Sequence, residues 1–463
     1  MNTFQSVYFL GIGGIGMSAL ARYFHQRGLF VAGYDRVPSE LTRALEAEGI
    51  LIHYEDNFGL VPDACKDPAQ TLVVFTPAIP ADFGEFVQFK EQGFEILKRA
   101  QVLGFLTKQM KGLCVAGTHG KTTTTAMTAH ILHESHVGCN AFLGGISKNY
   151  GTNYLFNENS PYVVIEADEF DRSFHQLRPW ATVITAVDAD HLDIYGTPEA
   201  YRESFSIYTS LIKPECGALI SHTNLPFEKR ISASVANYEY SRTEGDFHAE
   251  NVRIGGGEIH FDYISPLGNV SDVELGVPVS INIENAVAAI ALAQLAGATG
   301  EEIRRAMKTF KGVNRRFDFK IKTNQLVFLS DYAHHPEELR QSITSIREVF
   351  NGRTLTGIFQ PHLYTRTRDF YREFAESLSL LDEVILLDIY PAREKPIEGV
   401  SSQLIYDNLR PGIKRQLATR ADLPRILDEQ PVDVLMVLGA GDADDDVPAL
   451  EQLLRKKYNV IEA

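Results

Sequence analysis

Short apolar runs of about five residues alternate with longer segments of helical period along most of the chain. The first group of runs is SVYFL, LFVAGY, TLVVF and FEILK, each followed by a stretch with helical spacing of its apolar residues. A continuous apolar run bounded by turn residues predicts a strand buried on both faces, and strands alternating with helices predict βαβ units around a parallel sheet. A second group begins at GLCVAG and continues through YVVIEA, ATVITAV and GALIS. The pattern then changes: FHAENVRIGGGEIHFDYI alternates apolar and polar positions around glycines, which predicts a hairpin, and INIENAVAAIALAQLAG and GEEIRRAMKTF predict helices. The third group is LVFLSDY, TLTGIFQP, DEVILLD and VDVLMVLGAG, again with helices between. The chain therefore reads as α/β, with three domains in series over residues 1–107, 108–312 and 313–463.

Length and charge sharpen this picture. A chain of 463 residues exceeds one ordinary core, and its 44% hydrophobic and 22% charged residues are those of a globular protein. The formal charge of −16 excludes nucleic acid as the main partner, because neutralising phosphates needs a basic surface. Cys65, Cys114, Cys139 and Cys216 are far apart and form no CxxC pair, so neither a zinc framework nor a disulfide scaffold is indicated. The first residues carry no basic region, and no stretch reaches the ~20 apolar residues of a membrane helix. The expectation is a cytoplasmic chain without a membrane partner.

Two glycine-rich loops carry candidate phosphate chemistry. YFLGIGGIGMSALARYF places Gly11, Gly13 and Gly16 between a strand and a helix in the order G-x-G-x-x-G, and Asp35 ends the next strand. Glycines let the backbone approach a diphosphate, and the helix start supplies N–H donors to it. By this motif the ligand is NAD or another nucleotide diphosphate, or the loop is only a tight turn.

The second loop, LCVAGTHGKTTTT, departs from G-x-x-x-x-G-K-[ST] at Val115 but keeps Gly117, Gly120, Lys121 and Thr122 at a predicted helix start. Backbone N–H groups, a lysine and a hydroxyl there suit a triphosphate with Mg²⁺. Glu166, Asp168, Glu169 and Asp171 follow one nearby strand, and Asp188, Asp190, His191 and Asp193 follow the next. A few carboxylates suffice for Mg²⁺, whereas His191 taken alone reads as a hydrogen-bonding loop residue. In the last third, Asp331, Tyr332, His334 and His335 end one strand, and His362, Arg366 and Arg368 end another. They fit either a solvated rim or a site for a small anion.

The string GIGGIGMS, GTHGKTTTT, EADEFDRSF, DADHLDIYG, NRRFD, DYAHHP and FQPHLYTRTRD, in this order over nearly the whole chain, resembles the Mur ligases. That resemblance implies a Rossmann-like N-terminal domain for a UDP-sugar, a central P-loop-type ATPase domain and a Rossmann-like C-terminal domain for an amino acid. It implies ATP and Mg²⁺, and an ATP-dependent ligase of peptidoglycan synthesis, monomeric or homodimeric, that joins L-alanine to the lactyl carboxylate of UDP-N-acetylmuramate. Gly11, Gly13, Gly14, Gly16, Asp35 and Thr76 would then hold UDP rather than NAD. Gly117, Thr118, His119, Gly120, Lys121, Thr122 and Thr123 would cradle ATP, with Lys121 on the β/γ-phosphates. Thr122 and Glu166 would hold one Mg²⁺, and His191 a second. Asn282 and Asn285 would face adenine, Arg316 phosphate and Asp331 ribose. His335, His362 and Arg366 would line the amino-acid side.

The family pattern is broken at Ile281, where a histidine is usual, at Ala333, at Leu363 and after Gly439–Asp442. Three other readings stay open: a sister ligase that attaches a preformed tripeptide, a nicotinamide-dependent dehydrogenase, and a UDP-sugar-binding regulator without catalysis.

Overall fold

A computed structural model describes residues 4–392 and 394–460, the side chain of Asp193 excepted. By packing, the chain divides into two compact units. One holds residues up to Glu250 with Asp262–Val273 and Glu284–Phe310; the other holds Asn251–Phe261, Glu274–Ile283 and the residues from Lys311 onward.

The first unit contains two sheets. Strands β1 (Ser6–Leu10), β2 (Phe30–Tyr34), β3 (Leu51–His53), β4 (Thr71–Phe75) and β5 (Glu95–Lys98) form a parallel sheet in the order β3-β2-β1-β4-β5. Helices α1 (Ile15–Gln26), α2 (Glu40–Ala47), α3 (Gly84–Glu91) and α4 (Arg99–Gln109) connect them. β1 is completely buried, as its apolar run predicts.

The second sheet comprises β6 (Lys111–Ala116), β7 (Asn140–Phe142), β8 (Tyr154–Leu155), β9 (Tyr162–Glu166), β10 (Ala181–Ile184), β11 (Ala218–His222) and β12 (Ala236–Tyr240) in the order β12-β11-β10-β6-β9-β7-β8. Only the β7–β8 pair in it is antiparallel. Helix α5 (Lys121–His133) follows β6 directly, and α6 (Leu192–Tyr195) and α7 (Pro198–Thr209) follow β10. Within this unit α1 docks on the second sheet: Tyr23 packs edge-on against Tyr154, and Arg22 donates to Asn153 Oδ1 at 2.5 Å.

In residues 248–274, strands β13 (His248–Gly255), β14 (Glu258–Ile264) and β15 (Val270–Glu274) form a three-stranded sheet. The expected hairpin turn is Gly256-Gly257, both with positive φ, as a two-residue turn between right-twisted strands demands. Helices α8 (Ile281–Ala296) and α9 (Gly300–Thr309) follow, α9 begun by a Thr299–Glu302 capping box.

In the second unit, β16 (Asp318–Lys322), β17 (Val327–Asp331), β18 (Leu355–Phe359), β19 (Glu383–Leu386), β20 (Lys414–Leu417) and β21 (Val434–Leu438) form a sheet ordered β16-β17-β21-β18-β19-β20, parallel except for β16. Helices α10 (Pro336–Val349) and α11 (Tyr364–Leu378) flank it.

The strands absent from the apolar pattern are β3, β7, β8, β12, β15, β16 and β20. All but the three-residue β7 lie at sheet edges. An edge strand pairs on one side only and keeps polar residues such as those of KRQL in β20, so it shows no continuous apolar run.

Candidate active site

In an open parallel sheet, ligands bind beyond the strand ends where the connections depart in opposite directions. The first such point lies between β1 and β4. Gly11 turns the chain after β1 with φ +86°, and a Cβ there would overlap the Thr76 methyl at the end of β4. The Gly13 N–H donates to Asp35 Oδ2 at 2.7 Å, so the acid after β2 is tied to the glycine loop itself. Beyond this loop opens a cavity of about 300 Å³, with Gly14, Gly16, Thr76 and Arg99 on one side and Gly144 and Glu166 on the other.

The second such point is at β6, between β9 and β10. Gly117 (φ +131°) and Gly120 (φ +78°) wrap the loop; a Cβ on Gly117 would overlap Thr185, and one on Gly120 the Asn285 amide. The loop is pinned to the β10 end: Thr118 N–H donates to Ala186 O at 3.1 Å, Thr118 Oγ1 to Asp188 O at 2.7 Å, and Thr185 Oγ1 to His119 O. His119 Nε2 lies 3.8 Å from Asp188. Thr123 is half-buried in the first turn of α5.

Lys121 folds back over the loop. Its Nζ donates to Gly117 O at 2.5 Å and to Glu169 Oε1 at 2.9 Å. Burial opposes the lysine charge, but the Glu169 and Glu166 carboxylates outweigh it and hold the pKa above the ordinary lysine value. Thr122 Oγ1 donates to Glu166 Oε1 at 3.1 Å, which puts two hard oxygen donors side by side next to the lysine. Such a pair suits Mg²⁺, which takes oxygen ligands and completes its shell with water and phosphate.

His191 occupies a left-handed position (φ 53°) at the start of α6, with its ring against Phe170 and Nε2 3.8 Å from Asp190. Among the described residues no three His, Cys, Asp or Glu side chains group closely enough to hold a metal.

Asn285 Oδ1 accepts from Thr124 Oγ1 at 3.3 Å, whereas Asn282 is buried and donates to Val277 O at 3.1 Å. In the second unit Asp331 is buried, accepting from Ser342 Oγ at 2.6 Å and Phe317 N at 3.2 Å, and burial raises its pKa. Arg316 lies over the Tyr332 ring at 5.2 Å. His335 starts α10 with its ring against Phe370. His362 stacks on Tyr390, faces His334 and meets Arg366 at 3.5 Å. Burial and the Arg366 charge push its pKa down to about 4, so it is neutral at pH 7.

Three family descriptions match in order: "Mur ligase family, catalytic domain" over 6–111, "Mur ligase middle domain" over 115–293 and "Mur ligase, glutamate ligase domain" over 315–441. The UDP-N-acetylmuramate–L-alanine ligase of Phocaeicola vulgatus is 64% identical over 99% of this chain and 100% of its own. The chain belongs to the Mur ligase family.

A Parabacteroides distasonis Mur ligase of the same name is 55% identical over 99% of both chains. Among solved Mur ligases, the UDP-N-acetylmuramate–alanine ligase of Thermotoga maritima matches with a TM-score of 0.80 at 27% identity, covering 98% of this chain and 100% of that one. A murein peptide ligase of Psychrobacter arcticus matches the fold with a TM-score of 0.64 at 22% identity, over 99% of this chain and 100% of that one. The family is ATP-dependent, and membership removes the dehydrogenase reading of the first glycine loop.

Residues that sequence reasoning left without a role stand out in this Mur ligase site. Glu169 is 1% exposed and pairs with Lys121; nothing separates it in sequence from the neighbouring acids of EADEFD. Arg99 reaches the glycine loop from the start of α4, with no motif around it. Among the described residues no helix is long and apolar enough to cross a membrane.

Proposed function

We propose that this Mur ligase forms the amide between the lactyl carboxylate of UDP-N-acetylmuramate and L-alanine, with ATP cleaved to ADP and phosphate. The observation that carries this reading is the 64% identity, over essentially the full length of both chains, to a ligase named for that reaction. The site residues support it in the following roles.

A carboxylate is a poor acylating agent because its leaving oxide is strongly basic. Transfer of the ATP γ-phosphoryl group to the lactyl carboxylate gives an acyl phosphate; the alanine amine then displaces phosphate and forms the amide. Lys121 lies on the β/γ-phosphates, releasing Glu169 as it does so, and the N–H groups of 117–123 orient the chain of phosphates. Thr122 and Glu166 would hold Mg²⁺, which when bound would neutralise charge on the transferring group. His191, whose loop is fastened to the GKT loop through Asp188, would hold a second Mg²⁺. Asn282 and Asn285 face adenine, Arg316 phosphate and Asp331 ribose. His335, His362 and Arg366 receive the amino acid. Gly11, Gly13, Gly14, Gly16, Asp35 and Thr76 hold the UDP portion. These assignments place the protein in the cytoplasm, where ATP and nucleotide sugars are found.

The test is phosphate release with ATP, Mg²⁺ and UDP-N-acetylmuramate, with and without L-alanine, and with the tripeptide as a second acceptor. Release that requires L-alanine, with a product of the mass of the amide, is the expected result. Release with the tripeptide alone makes this the sister ligase, and binding without turnover makes it a sugar-nucleotide sensor.

A further inference from the structure

The cavity beyond the first glycine loop is lined by two carboxylates, Glu166 and Asp168, in a chain of formal charge −16. An anionic ligand entering it meets an unfavourable field unless a cation compensates. Among the described residues that line the cavity, Arg99 is the only basic one.

Its placement is specific. Arg99 is the first residue of α4, after β5, and its guanidinium lies on Gly16 in the first turn of α1. A Cβ at Gly16 would overlap that guanidinium, so the arginine would have to shift for any larger residue there. Met17 and Ser18 N–H donate to Gly14 O, which leaves the Ile15 and Gly16 N–H groups at the start of α1 without a backbone acceptor. On its other side Arg99 Nη2 is 3.7 Å from Asp168 Oδ2, longer than a hydrogen bond, so the carboxylate holds the fork in place without consuming its donors. Lys98 and Asp171 make a parallel contact at 3.6 Å, which fixes the start of α4 to the loop after β9.

We propose that Arg99 binds the diphosphate of the nucleotide sugar, its guanidinium set beside the α1 N-terminus. The proposal rests on the UDP-sugar reading above and adds to it a residue that the glycine motif does not contain. A planar fork with several donors matches two phosphate oxygens, which a lysine matches only as a point charge.

Calorimetric dissociation constants for UDP, UDP-N-acetylglucosamine and UDP-N-acetylmuramate, on wild-type protein and on Arg99→Gln and Arg99→Lys, test it. UDP-N-acetylglucosamine carries the diphosphate but lacks the lactyl carboxylate. Arg99→Gln is expected to weaken all three ligands by about tenfold or more, since a charge-assisted bidentate contact is lost, with Arg99→Lys in between. The affinity for ATP and the thermal midpoint without ligand are expected to stay near wild type. A loss confined to UDP-N-acetylmuramate would overturn the proposal by moving the contact to the lactyl carboxylate. Unchanged binding of all three would overturn it by leaving Arg99 a purely structural role. Wild-type protein that binds ATP but no UDP compound would overturn the UDP-sugar reading itself.

Discussion

Tyr8, His53 and Glu85 form a buried polar cluster inside the apolar face of the first sheet. The Tyr8 hydroxyl lies 2.6 Å from His53 Nε2 and 2.8 Å from Glu85 Oε2, and His53 Nδ1 faces the Glu55 carbonyl at 3.0 Å. A carbonyl only accepts, so Nδ1 carries a proton. Burial lowers the His53 pKa, which keeps the ring neutral. The Tyr8 hydroxyl donates to Glu85 Oε2, and burial still pushes the Glu85 carboxyl up to about 7. A carboxyl whose pKa is raised on folding stabilises the protein below its unfolded pKa near 4.5, and that contribution is lost as pH rises through about 7. Urea unfolding of Glu85→Gln should therefore show a flatter dependence on pH between about 5 and 8 than wild type, by on the order of 3 kcal/mol. At the GKT loop, Lys121→Met should lower kcat by about 10³-fold or more with little change in fold, because it removes charge stabilisation made in the transition state. Thr122→Val should raise the Mg²⁺ concentration for half-maximal activity by about tenfold, read from a metal titration at saturating ATP.

At the scale of elements, the segment after β9 joins the two sites of the first unit. Glu166 and Glu169 serve the GKT loop, while Asp168 and Asp171 contact Arg99 and Lys98. Asp171 and Arg172 both have positive φ, a conformation that non-glycine residues hold only when their surroundings impose it. Part of that support comes from α4: a Cβ on Gly104 would overlap the Gln176 carbonyl at the end of the same segment. Gly104→Ala should force α4 away from this backbone, destabilise the protein by about 1–3 kcal/mol in chemical unfolding and lower affinity for both nucleotides. The acids of this segment were visible in sequence as a cluster. Their division between two partners was not, because it follows from the left-handed turn at 171–172.

For the whole molecule, charge is the quantity that matters. A chain of −16 that uses ATP and a nucleotide sugar repels its own substrates at long range. Raising ionic strength from about 10 to about 150 mM shortens the screening length to roughly 8 Å, and kcat/KM for the nucleotide sugar should rise modestly over that range at fixed free Mg²⁺. A fall instead would mean that local basic groups such as Arg99 dominate the approach.

Which parts of the protein its sequence determines follows from how local each feature is. Central strands such as β1 and β17, buried on both faces, carry their burial in their composition, and the two glycine loops carry their backbone geometry in residues that alone tolerate it. These local signals place Gly11, Gly117, Lys121 and Thr122, and the Mur ligase resemblance extends from them. Edge strands such as β3, β12, β16 and β20, whose polar residues answer to solvent, escape the pattern. The pairing of Thr122 with Glu166, 44 positions apart, needs β6 and β9 to lie side by side. The selection of Glu169 among four nearby acids as the lysine partner, and the approach of Arg99 to Gly16, depend on a turn and a helix start brought together by folding. Only the tertiary structure decides these, because a contact between distant residues is set by sheet order and backbone direction, and neither is written in the residues that meet.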